Sequence, residues 1–155
     1  MKGNGLTAIE SRRQWLAFLA GFGLAPWSPV FAQPDAAQAA IRALVAKAEV
    51  RSGRIRLEIP PLVENGHSVV MSLRVQSPMT AEDHVRSVHV FAEGNPLPAV
   101  LTAYFTPHSG KAALTSRIRL AESQRIWAVA VMSDGSFWQT SAETLVTLSA
   151  CTEER

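Results

Sequence analysis

One residue of this 155-residue chain is suited to covalent chemistry by both type and position: Cys151, its single cysteine, four residues from the C-terminus. A lone cysteine has no intramolecular disulfide partner. Near a chain end it can act as a nucleophile or hold a covalent adduct through its thiolate. The opposing reading is a small apolar side chain closing the last strand, or a cysteine without a role. A core thiol is expected inside a strand rather than beside Thr152-Glu153-Glu154-Arg155.

The remaining candidates carry less. His67, His84, His89 and His108 are scattered, none with another at ligand spacing. A zinc or copper site would have to be assembled in space, and turn or strand positions are the simpler account of all four. Arg117, Arg119 and Arg125 offer guanidinium groups suited to sulfate-like oxyanions, against the plainer reading of a wet sheet face. There is no His-Glu-x-x-His, Cys-x-x-Cys or Gly-x-Ser-x-Gly, and Ser109-Gly110-Lys111 lacks the rest of a phosphate-binding loop.

The elements that must position Cys151 begin with an address. Residues 1–32 carry a basic start, an uncharged apolar stretch from Trp15 to Trp27, and Val30-Phe31-Ala32 where a signal peptidase reads. Gly21, Gly23 and Pro26 interrupt an apolar stretch already too short for the ~20 residues of a membrane-spanning helix. Ser11-Arg12-Arg13-Gln14-Trp15-Leu16 fits the twin-arginine pattern. The expected mature chain therefore runs from Gln33 in a bacterial periplasm, exported already folded.

Charge excludes one broad class. The net charge is +2, but three of the 15 basic residues and one of the 13 acidic ones precede residue 33, leaving 12 of each. A protein that neutralises several phosphates needs a standing basic excess on one face. Nucleic-acid binding is not expected.

Within the mature chain the hydrophobic period changes once. Ile41, Leu44, Val45 and Ala48 form one helical stripe after an Asp35/Gln38 capping pair, predicting a helix over 36–49. That stripe could cover the body of the chain or a partner. Beyond Gly53 the period becomes two. Ile55/Leu57/Ile59, Val69/Met71/Leu73/Val75, Val88/Val90, Leu101/Ala103/Phe105, Leu114/Ile118/Leu120, Ile126–Met132 and 144–148 read as strands. Thr80 with Asp83 resembles the cap of a single helical turn. About seven short strands with regular turn signals predict an all-β, immunoglobulin-like antiparallel β-sandwich with a short N-terminal helix. A small closed barrel is the alternative. The expected domains are the signal (1–32), helix and linker (33–53), sandwich (54–148) and a C-terminal arm (149–155).

Strands and terminal cysteine together resemble the SoxY family, the sulfur-carrier subunits of the periplasmic thiosulfate-oxidising Sox system. The matching segments are Ser77-Pro78-Met79-Thr80, His89-Val90-Phe91-Ala92-Glu93-Gly94-Asn95-Pro96, Thr115-Ser116-Arg117-Ile118-Arg119-Leu120 and Met132-Ser133-Asp134-Gly135-Ser136. The resemblance implies a sandwich paired with a SoxZ-like subunit and no catalytic residues or cofactor of its own. It implies Cys151 as the sulfur attachment point, served by a c-type cytochrome and a manganese-dependent sulfate thiohydrolase. One feature departs from the family. Where its usual arm is Gly-Gly-Cys-Gly-Gly, this chain has Leu148-Ser149-Ala150-Cys151-Thr152-Glu153-Glu154-Arg155. Ser, Ala and Thr give a stiffer and bulkier arm than glycine, and the flanking carboxylates disfavour the thiolate. The arm points to a variant sulfur pathway. Two rivals stand beside the carrier: an interaction module with Cys151 in an intermolecular disulfide, and a metal-binding sandwich using the histidines.

Overall fold

A computed structural model describes residues 34–148. The signal segment, the Cys151 arm and the proposed start at Gln33 lie outside the described residues. Helix α1 (Pro34–Val45) is followed by strands β1 (Val50–Arg51), β2 (Ile55–Glu58), β3 (Leu62–Asn65), β4 (Val69–Val75), β5 (Val85–Ala92) and β6 (Ala99–Tyr104). A short 3-10 helix (Pro107–Ser109) leads into β7 (Ala113–Ile118), β8 (Gln124–Met132) and β9 (Phe137–Leu148). No described helix is long and apolar enough to cross a membrane.

Two sheets face each other. One runs β1-β9-β8-β5-β6, with β3 also on β9; the other is β2-β4-β7. The alternation read at 69–75 holds to the residue: Val69, Met71, Leu73 and Val75 are buried, and Ser72 and Arg74 point outward. Those four side chains meet Val88, Val90, Ile126, Ala128, Ala130 and Met132 from the opposite sheet in one core. Strand β8, apolar on both faces, lies between β5 and β9 as a doubly covered strand should. Its outward residues Trp127 and Val129 are covered by α1. Ala37, Ile41 and Val45 pack there against Phe91 and Val129, so the helical stripe covers the chain's own body.

Several expectations need correcting. The helix begins at Pro34 and ends at Val45, where Ala46 takes a left-handed φ of 51°. Proline suits a first helical position because its missing N–H would be unpaired there anyway. With the helix starting at Pro34, Asp35 lies inside its first turn and not before it, and the Gln38 amide donates to Glu93, which also accepts from the Trp127 indole at 2.6 Å. This carboxylate ties helix to sheet. Thr80 and Asp83 form a bend rather than a helical turn, although the expected contact exists: the Asp83 N–H donates to Thr80 Oγ1 at 3.1 Å. The last strand starts at Phe137, not 144. Pairing is also not antiparallel throughout, because β1 and β3 run parallel to β9.

The segments that carry the family resemblance are structural knots. The Asn95 side chain donates to the Arg119 carbonyl and accepts from Ala121 N–H and the Gln124 amide, joining two loops. Ser133 Oγ accepts from His84 N–H and donates to the Glu82 carbonyl. Met79, at a left-handed φ of 56°, turns its side chain into the core while Ser77 Oγ accepts its N–H.

Candidate functional site

Cys151 follows β9, so β9 decides where the thiol can go. The chain reaches β9 through a change of sheet. Strand β2 belongs to the three-stranded sheet, and Pro60-Pro61, without N–H groups for a ladder, ends it. The chain then crosses to the edge of β9, where the Pro60 carbonyl accepts from Thr144 Oγ1 at 2.7 Å and the Pro61 carbonyl from Leu145 N–H at 2.9 Å. Strand β3 continues alongside, setting Leu62 opposite Leu145 and Asn65 opposite Leu148.

The end of β9 is thereby held on both flanks. Gly66 N–H donates to the Leu148 carbonyl at 2.9 Å, and Thr147 Oγ1 donates to the Glu64 carbonyl at 3.0 Å. On the other side the Val146 N–H donates to Ser123 Oγ at 2.9 Å. Ser123→Ala should cost about 1 kcal/mol. It should also speed amide exchange at Val146 more than at Val129, in the middle of the sheet; equal protection would show that Ser123 does not hold the strand end. Around this root the surface is unusually apolar: Leu62, Leu145 and Leu148 are each more than half exposed.

The histidines do not converge. His67 lies in the turn after β3, His108 in the 3-10 helix, both exposed. His84 and His89 share a cleft of about 500 Å³ with Arg86, Ser87 and Tyr104. The His84 ring Nδ1 is 3.1 Å from the Thr80 carbonyl. His89 has Ser87 Oγ 3.0 Å from Nε2 and Thr102 Oγ1 3.2 Å from Nδ1. Among the described residues no group of three or more His, Cys, Asp or Glu could hold a metal.

Partial burial lowers the His89 pKa below its ordinary 6.5. The folded state favours the neutral ring, so this contribution to stability is complete above pH 6.5 and is lost as pH falls through the depressed folded value. Denaturant midpoints measured between about pH 7.5 and 5 should decline less steeply in His89→Asn than in the parent. Parallel curves would remove His89 from the acid response.

The three arginines considered together do not share a face. Arg117 lies on β7 and Arg119 just after it, whereas Arg125 belongs to the other sheet, hydrogen-bonded to Glu143 and 5.8 Å from the centre of the Trp127 ring. Arg117 shares its face instead with Arg56 and Arg74. The β2–β4 register, which sequence reasoning did not supply, sets those two directly opposite each other.

An immunoglobulin-like sandwich whose last strand is pinned at the surface defines the structural class. A family profile described as sulfur oxidation protein SoxY matches residues 41–151. The chain belongs to the SoxY family of sulfur oxidation proteins. No curated protein matches it. Among solved structures it is similar to the sulfur carrier protein SoxY from Chlorobium limicola f thiosulfatophilum, at 21% identity and TM-score 0.60, over 72% of this chain and 96% of that one. It is also similar to the superoxide reductase (neelaredoxin) from Ignicoccus hospitalis, at 19% identity and TM-score 0.54, over 76% of this chain and 95% of that one. At such identities both likenesses establish the sandwich alone.

Proposed function

We propose that this protein is a periplasmic sulfur carrier, exported by the twin-arginine route, that holds pathway intermediates covalently on Cys151. The observation that carries the reading is where the family match ends: it runs through the sandwich and stops on Cys151 itself. The rooted end of β9 supports it. Cys151 is the third residue beyond Leu148, a contour of about 10 Å at ~3.3–3.6 Å per residue. A thiol on so short a tether enters a cleft but does not swing between distant sites, so the whole carrier docks and undocks from successive enzymes.

The chemistry asks little of the carrier beyond the thiol. Coupling joins the Cys151 sulfur to the sulfane sulfur of thiosulfate; the thiol proton goes to solvent and two electrons to a c-type cytochrome. Water then cleaves the terminal S–S bond at a manganese-dependent hydrolase, releasing sulfate and leaving a persulfide on the arm. Tethering keeps the intermediate at a high effective concentration for each enzyme. The protein itself is non-catalytic, and it works as a heterodimer with a SoxZ-like subunit.

Intact mass spectrometry of the mature protein from periplasm, before and after reductant, tests the reading. A reducible adduct with the mass of sulfane, sulfonate or thiosulfonate sulfur is expected. A bare thiol under every sulfur source supplied would overturn the carrier role, and a cross-linked dimer as the main form would favour an intermolecular disulfide.

A further inference from the structure

We infer that the outer face of the three-stranded sheet is a binding site for a small divalent tetrahedral oxyanion such as sulfate. The site lies on the body of the protein and does not depend on Cys151. Its basis is a cross-strand register. Arg56 on β2 and Arg74 on β4 are direct partners, and in the next row Ser72 faces Thr115 of β7. Opposed residues of an antiparallel pair hold their Cβ atoms about 4.5–5.5 Å apart, and like charges placed so are destabilising. An anion bridging the two guanidinium groups turns that cost into a contact.

The surrounding groups fit this ligand. Glu58 is the one acid in the cleft; it binds Arg56 Nε at 2.7 Å, leaving the terminal nitrogens of that guanidinium without another partner among the described residues. Arg74 forms no ion pair among the described residues. Ser72 Oγ and Thr115 Oγ1 lie 3.0 Å apart. One hydroxyl proton serves that bond and the other remains free to donate. Ala113, the partner of Arg74 on β7, leaves the space above the strand open, and Gln76 closes one end. The resulting cleft, about 590 Å³, presents guanidinium, hydroxyl and amide donors. Guanidinium forks match the oxygen spacing of such anions and form the stronger, charge-assisted hydrogen bonds.

An NMR titration of the amide-labelled protein with sodium sulfate, against sodium chloride at matched ionic strength, tests the inference. Saturable shifts are expected at Arg56, Ser72, Arg74, Ala113 and Thr115 with sulfate and not with chloride. Arg74→Gln should weaken binding about tenfold, the loss of one charge-assisted contact. Glu58→Gln, which frees Arg56, should strengthen it. Arg117→Gln removes the same charge from the same face outside the cleft and should change nothing. Equal shifts with both salts, or equal weakening by Arg74→Gln and Arg117→Gln, would reduce the site to general surface charge and overturn it. All three substituted side chains are exposed, so thermal unfolding of the variants should match the parent, and sulfur loading at Cys151 should not change.

Discussion

Cys151→Ser is expected to abolish every reducible sulfur adduct while leaving the fold and partner binding unchanged. A hydroxyl is not ionised near neutral pH, and it does not form the sulfur–sulfur bond that the proposed chemistry requires. The effect should therefore be complete rather than graded. Structural indifference follows from placement: the buried apolar core lies between residues 37 and 132, and β9 is held by contacts ending at Leu148. Mass spectrometry reads the first half of the prediction, and a thermal melt with a pull-down of the partner subunit reads the second. Adduct retained on the serine variant would place the sulfur elsewhere. A collapsed melt would make the cysteine a structural residue.

The second large effect belongs to the core. Met71 is fully buried on β4, the central strand of the three-stranded sheet, facing the other sheet across the sandwich. Met71→Ala should cost about 2–5 kcal/mol, because the lost contacts add to a cavity that neighbouring strands cannot close. For a domain of this size that corresponds to a melting temperature lower by roughly 10–20 °C. Met71→Leu, which nearly conserves volume, should cost less than about 1.5 kcal/mol. Denaturant unfolding of the two variants checks both figures. Equal losses would mean that shape at this position matters more than volume.

Much of this architecture is legible in the residues, and what is not has identifiable causes. Period-two alternation marks β2 and β4 because one face of each is buried and the other wet. The unbroken run Ile126–Met132 marks β8 because it is covered on both sides. Strand β1 is only two residues long, and β3, in which Val63 alone is part-buried, shows no alternation. The start of β9 is hidden because Gln139, Thr140 and Ser141 read as a loop, yet they pair with Val129, Ala128 and Trp127 of the central strand. Thr80 and Asp83 carry a capping signal that a bend satisfies equally well. For the sites the division is sharper. Cys151 stands out by rarity and position alone. The Arg56–Arg74 pair, 18 residues apart along the chain, becomes a feature only once β2 and β4 are aligned, and no local pattern encodes that alignment.

The double flank of β9 has a mechanical consequence. In the proposed carrier cycle, an arm drawn into an enzyme's channel would have to be pulled free after each turnover. Tension applied at the end of β9 and directed along it reaches the body through hydrogen bonds to β3 on one side and β8 on the other. These bonds lie across the line of force, so many are loaded together in shear instead of being opened one after another from a free end. Under the proposed role, a pull transmitted to Leu148 would be resisted by these bonds together, without unravelling the strand.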